Sequence, residues 1–319
     1  MERRTRDRLV TAAKAIATIV LLVLVLRRIP VADLAARVAH IRAVDILLLL
    51  VVTTTQVALN VMRWWRLLRS VGERVSYASV FGDLCVGILY NWILPGGVGG
   101  DVIRALRARA RMQAPHHAWS TSIYERIVGL FAMTVTASVA VAVGVGSASA
   151  LPEWLRTATY TLTFALALAF VFASLPFRWL VRVLGSRLPT AASADLAGIG
   201  ADLQGPLAKL SVRAEALAWS LAYQGSNLVF VMVGAAALGA PGHERAIVVG
   251  VPIITVLSLA PITIGGHGLR EGLYVSVLGA LGMPVDVAAG LSAAFLASAL
   301  LFSIIGACFM LASKRKSGT

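Results

Sequence analysis

Arg104 and Arg270 each follow a glycine pair inside apolar sequence, and that pairing of residue types is chemistry for an anion. Asn91 to Arg104 reads Asn-Trp-Ile-Leu-Pro-Gly-Gly-Val-Gly-Gly-Asp-Val-Ile-Arg, and Ala260 to Glu271 reads Ala-Pro-Ile-Thr-Ile-Gly-Gly-His-Gly-Leu-Arg-Glu. Both contain Pro-x3-Gly-Gly-x3-Arg. Pro95 matches Pro261, Gly99 and Gly100 match Gly265 and Gly266, and Arg104 matches Arg270, all at the offset 261 − 95 = 166. Glycines at a helix start expose backbone N–H groups where partial positive charge favours an anion. A guanidinium close by can grip phosphate oxygens with two parallel hydrogen bonds. Asp101 is placed to cap the first of these helices, with Arg104, Arg107 and Arg111 on one face. A glycine turn before a solvated basic helix would need no function. Recurrence of the broken segment in a second half is the mark of a transporter's binding site.

The remaining polar candidates are weaker. Arg270 and Glu271 sit in apolar context, where a charge near the bilayer centre costs at least ~2.5 kcal/mol and so pairs or lines a cavity. An internal ion pair, Arg270 with Asp101 or Glu271 with Arg104, would pin the two segments together and is compatible with ligand binding. Glu125 and Arg126 read as interfacial caps unless their helix returns them to the tip of the first segment. Gln56 and Asn60 have rough counterparts in Gln224 and Asn227, amides that usually bond a neighbouring helix for about 0.6 kcal/mol. His116 and His117 are adjacent and so do not share a helix face, which argues against a metal pair. His267 takes the place of Asp101 in the second copy, and it reads as a turn cap in preference to a group that titrates near neutrality. Cys85 and Cys308 lack metal or redox spacing. Ser-His-Asp, zinc and P-loop signatures are absent, so neither a cofactor nor a metal is expected.

These residues need a membrane scaffold. Of 319 residues 58% are apolar, mean hydropathy is +0.82, and 14% are charged, against roughly 25% charged in soluble domains. The net charge of +14 is mostly arginine and fits the excess of positive residues on cytoplasmic loops. No basic soluble module is present, which excludes a nucleic-acid partner. Apolar runs at Ala15–Leu26, Asp45–Met62, Ile123–Val145, Tyr160–Leu175, Ala216–Leu238 and Val285–Ala312 predict spans. Ala78–Leu94, and Ala246–Pro261 with Gly268–Leu281, are the broken segments. The expected fold is an all-α polytopic membrane protein with about six full spans plus two opposed re-entrant hairpins in an inverted repeat. It forms one domain over 1–319, with halves near 1–150 and 151–319 and a cytoplasmic connector at 186–215. Ile29–Val44 reads as a loop or surface helix, Leu151–Leu155 as an outer loop, and Trp64–Trp65 as interfacial anchors. Basic residues from Arg3 to Lys14 and at Lys314-Arg315-Lys316 place both termini in the cytoplasm. No signal-cleavage site follows the first apolar run.

The motifs Asn-x2-Leu-Pro-Gly-Gly-x-Gly-Gly-Asp-x2-Arg (Asn91 to Arg104), Tyr124-Glu125-Arg126 with Gly129-Leu130, and Gly266-x-Gly-Leu-Arg-Glu-Gly (Gly266 to Gly272) resemble the lysylphosphatidylglycerol synthetase transmembrane-region family. In its two-domain members a flippase region moves aminoacylated phosphatidylglycerol to the outer leaflet, and a cytoplasmic transferase domain makes that lipid. Only the flippase region is matched, so the resemblance implies a stand-alone member that moves a polar lipid between leaflets of a bacterial inner membrane. The expected substrate-binding residues are Asn91, Gly99, Gly100, Asp101, Arg104, Glu125, Arg126, Gly265, Gly266, Arg270 and Glu271. The expected partners are membrane lipids with an anionic or zwitterionic headgroup, and a lipid-modifying transferase is a candidate protein partner. The competing readings are a membrane enzyme acting on a lipid phosphate and an accessory scaffold for lipid modification.

Overall fold

The computed structural model describes residues 30–92, 94, 99–143, 152–172, 190–258, 260, 262–263 and 266–317, with a few isolated positions besides. Pro95, Gly96, Gly97, Pro261 and Gly265, and part of Ala15–Leu26, lie outside the described residues. The described residues are helical, with no strand among them. A surface helix α1 (Val31–Ala39) precedes α2 (Ala43–Ser70), α3 (Tyr77–Asn91), α4 (Gly99–Arg109), α5 (His116–Ala142) and α6 (Glu153–Val171). The second half holds α7 (Thr190–Gln204), α8 (Leu210–Ala237), α9 (Glu244–Leu257), α10 (Leu269–Leu273), which runs into a π-helical turn at Tyr274–Leu278, and α11 (Val285–Ser317). Among the described residues α2, α5, α6, α8 and α11 are long and apolar enough to cross a bilayer. They correspond to the second through sixth expected spans. The chain is a multi-pass membrane protein.

Local chemistry sets the helix ends. Arg42 donates through its backbone N–H and its Nε to Asp45 Oδ2, at 3.2 and 3.0 Å, closing the first turn of α2. That helix stops at Gly72, whose φ of 95° suits a residue without a Cβ. Pro152 opens α6, and Glu153 places an acid in its positive first turn. The expected outer loop at Leu151–Leu155 is therefore shorter, since helix begins at Glu153. The connector likewise ends early, because α8 already starts at Leu210.

Helices α3 and α9 have 15 and 14 residues, rising about 22 and 21 Å, short of the roughly 30 Å hydrocarbon core. Each is followed in sequence by a second short helix. The 166-residue offset carries 43–70 to 209–236, against α8; 77–91 to 243–257, against α9; and 116–142 to 282–308, against α11. Packing repeats the same relation. Helix α2 lies along α8, α5 packs on α9, and α11 packs on α3, so the last long helix of each half clasps the broken segment of the other. The contact of α11 with α3 is close enough that a Cβ at Gly306 would overlap the Cys85 carbonyl.

One apolar core joins α8, α9, the π-helical turn and α11 around Phe230, Ile254, Leu278 and Leu291. Another joins α2, α3, α4 and the start of α5 around Trp64, Leu68, Val80 and Ala105. Trp64 is fully buried there and donates from Nε1 to Thr121 Oγ1 at 3.2 Å. It is a core residue, not the interfacial anchor its sequence position predicted, because α2 turns that edge toward α5.

A buried arginine cluster at the first broken segment

Arms α3 and α4 can only approach as they do because both contact points are glycine. A Cβ on Gly87 would stand 2.8 Å from the Gly100 carbonyl oxygen, and one on Gly100 would overlap Gly87 in turn. The close approach lets Asn91, the last residue of α3, accept the Gly100 N–H through Oδ1 at 2.8 Å. Helix α4 starts at Gly99, so Asp101 is its third residue and not its N-cap. Asn91 supplies the side-chain acceptor from the facing arm. That releases Asp101 to pair with Arg126 of α5.

Arg104 follows on the face of α4 turned toward α5. It is 4% exposed, and Glu125, on α5, is 1% exposed. Arg104 Nη2 donates to Glu125 Oε2 at 2.5 Å. The other oxygen of the same carboxylate accepts from Arg63 of α2, whose Nε and Nη2 lie 3.1 and 2.8 Å away. Arg63 is itself steered by Asn60 Oδ1 and by Ser220 Oγ of α8, each at 3.0 Å. One glutamate thus holds two buried guanidinium groups supplied by separate helices. Beneath, the Arg104 guanidinium lies 4.5 Å from the Trp64 ring, a favourable cation–π geometry.

The satisfaction is incomplete in one place. Arg104 Nε lies 3.1 Å from Asp101 Oδ1 but is not aligned to donate to it, and Nη1 has no acceptor among the described residues. Arg104 also lines a cavity of ≈170 Å³ whose polar wall includes Asn60, Arg63, Asp101, Glu125, Arg126 and Gln224. Three guanidinium groups against two carboxylates leave one formal positive charge around it. Such a wall can accept an anionic oxygen in place of water.

Two arginines further along the chain are directed elsewhere. Arg107 and Arg111 both pair with Asp83 of α3, which is 1% exposed, and so tie the two arms together. The expected common face of Arg104, Arg107 and Arg111 divides into one cavity-lining residue and two that pair with Asp83.

In the second broken segment Gly266 and Gly268 take φ of 79° and 80°, and Glu271 accepts the Gly268 N–H through Oε2 at 2.5 Å. Glu271 is thereby a cap for α10. Arg270 lies over the Phe295 ring at 4.5 Å and has no carboxylate within ion-pair distance among the described residues. The pairs Arg270–Asp101 and Glu271–Arg104 do not form, since Asp101 serves Arg126 and Arg104 serves Glu125. The two segments meet instead through Trp92 and His267, whose rings stack at 4.6 Å.

Arg63, followed by Arg66, Arg69 and Arg74, reads from the sequence as part of a basic cytoplasmic end and so is absent from the expected site residues. A signal was present: Gln56, Asn60 and Arg63 step by four and three along an otherwise apolar helix, a single polar stripe. The apparent incompatibility of His116 with His117 also fails, because their rings converge to 4.6 Å. A 100° step separates Cβ directions, but both side chains are long enough to bend toward one neighbour.

Residues 10–307 match the family described as Lysylphosphatidylglycerol synthase TM region. No curated protein and no solved structure matches the chain.

Proposed function

The chain belongs to the lysylphosphatidylglycerol synthase TM-region family, and from that premise and the buried arginine cluster we propose that it carries a polar lipid between the leaflets of a bacterial inner membrane. One observation bears most of the weight. Arg104, 4% exposed, lines a cavity whose wall carries one excess positive charge, and two of its guanidinium nitrogens have no hydrogen-bond partner among the described residues. A lipid phosphate is the group that would satisfy them, and Asn91, Gly99 and Gly100 set the helix that presents Arg104. Glu125 prevents Arg63 and Arg104 from holding that phosphate too tightly, while Asp101 and Arg126 form the rim. At ≈170 Å³ the cavity suits a headgroup fragment, so the acyl chains stay in the bilayer.

In this reading the pairs α3–α4 and α9–α10 are re-entrant hairpins that dip from opposite faces, in an inverted repeat with both termini cytoplasmic. The shortness of α3 and α9 and the exchange of clasping helices between halves support it. Gly266, Arg270 and Glu271 then complete the path from the second hairpin, with Gly265 beside them in sequence. The chain acts as a carrier and breaks no covalent bond in the lipid.

The test is reconstitution in liposomes with fluorescent phosphatidylglycerol and its aminoacylated form. Arg104→Ala is expected to abolish translocation and Arg270→Ala to slow it. Translocation at the wild-type rate in both variants would remove the site assignment. Cysteines placed singly at Arg74 and Pro241, exposed residues ahead of α3 and α9, should be labelled from opposite sides of the membrane, and labelling from one side would remove the inverted topology.

A further inference from the structure

A second polar cluster lies away from the arginine site, where the start of α5 meets α7 and the loop after α2. His117 Nε2 stands 3.6 Å from Asp202 Oδ1, and His116 Nε2 stands 3.8 Å from Asp202 Oδ2. Both separations are too long for direct hydrogen bonds. Around a tetrahedral ion with bonds of about 2.0–2.2 Å, however, neighbouring ligand atoms lie roughly 3.3 Å apart. The three donor atoms fall within 4.8 Å of one another.

The surroundings orient these atoms. His117 Nδ1 lies 2.7 Å from Glu73 Oε1, and the same carboxylate takes the backbone N–H groups of Gln113 and Ala114. A carboxylate only accepts, so Nδ1 carries the proton and Nε2 turns toward Asp202. In the neutral imidazole Nε2 is then a bare lone pair facing a carboxylate oxygen, which is repulsive unless something positive stands between them. This carboxylate–histidine arrangement is how proteins fix imidazoles that ligate metals. Ser120 donates to Asp202 Oδ2 at 2.6 Å, which holds the third donor in place. The opposite helix makes room as well: a Cβ on Gly198 of α7 would come within 2.5 Å of His116 Cγ.

We propose that His116, His117 and Asp202 bind a divalent transition-metal ion of the zinc class, with Glu73 as the group that orients His117. The donor set of two imidazoles and one carboxylate suits such an ion, and a further coordination position is left for water. The ion fastens α7 to the start of α5, the helix that carries Glu125 nine residues further on. This inference is independent of lipid transport.

The test uses the full chain, purified in detergent without a polyhistidine tag and stripped with a chelator, with Co2+ alone as the probe. Expected are one bound Co2+ per chain, visible d–d absorption of tetrahedral strength, and its displacement by Zn2+. His117→Ala and Asp202→Asn should lose the band, Glu73→Gln should weaken affinity about 10- to 100-fold, and His40→Ala should change nothing. Gly198→Ala, which displaces His116 without removing a donor, should also weaken binding. Absence of bound Co2+ and Zn2+ in the wild-type chain overturns the proposal and leaves a protonated imidazole between two carboxylates. Undiminished binding in both Asp202→Asn and Glu73→Gln overturns it equally, whether or not His117→Ala folds.

Discussion

The indole of Trp92 and the imidazole of His267 lie stacked, their centroids 4.6 Å apart and their planes inclined by 28°. Trp92 ends the first arm of one broken segment, and His267 sits in the turn that opens the second arm of the other. Trp92 is also held by Ser303 Oγ of α11, which accepts its Nε1–H at 2.9 Å. Two turns 166 residues apart in pattern therefore touch directly. A double-mutant cycle with Trp92→Ala and His267→Ala, read by unfolding in detergent, should give a coupling of about 0.5–1.5 kcal/mol. Strict additivity would mean that the rings do not interact in solution.

Removing Glu125 should be among the most costly single changes in the chain. Its carboxylate compensates Arg63 and Arg104, all three nearly inaccessible to solvent. Glu125→Ala leaves both cations without it, and breaking a buried pair in this way costs about 3–5 kcal/mol. Glu125→Gln should cost less, because its amide oxygen still accepts from one guanidinium. Equal denaturation midpoints for Glu125→Ala and wild type would contradict the burial of this network.

The Arg66–Glu215 pair offers the contrast. Its side chains are 48% and 35% exposed, so solvent screens the attraction. Glu215→Gln is expected to change stability by about 1 kcal/mol or less, with the difference shrinking as salt is added. A loss comparable to that of Glu125→Ala would show that this edge is buried in the detergent-solubilised protein.

Two glycine-to-alanine changes should have opposite signs. Gly100→Ala forces a methyl group onto the Gly87 carbonyl and Asn91, and overpacking of that kind costs about 1–3 kcal/mol. Gly225, exposed on α8, has nothing within 4 Å of its notional Cβ. Gly225→Ala should therefore stabilise the chain by about 0.5–1 kcal/mol through helix propensity. Thermal unfolding of the two variants side by side decides the matter. A stable Gly100→Ala protein would mean that α3 and α4 are further apart.

The broken segments were legible because proline and glycine act locally: they interrupt an apolar helix whatever surrounds it. The repeat was legible for the same reason, since Arg104 and Arg270 keep their distance from those breaks. Partner choice was not. Asp101 reads as a cap, but its role passed to Asn91 once two glycines let α3 and α4 close. Arg63 reads as a membrane-edge charge, and nothing in its neighbours says that Glu125, 62 residues away, waits on the facing helix.

Composition and periodicity alone determined that this chain crosses a membrane several times, that it is helical, and that two short glycine-broken segments recur in its halves. Those properties follow from hydrocarbon burial and from backbone hydrogen bonding, which every residue feels through its near neighbours. Tertiary structure alone decided which acid is shared by which arginines, which histidines converge, and which guanidinium is left with unpartnered nitrogens. These outcomes depend on how helices rotate about their axes when they pack. A rotation of one residue's step turns a side chain by 100°, and sequence spacing within a single helix does not specify it.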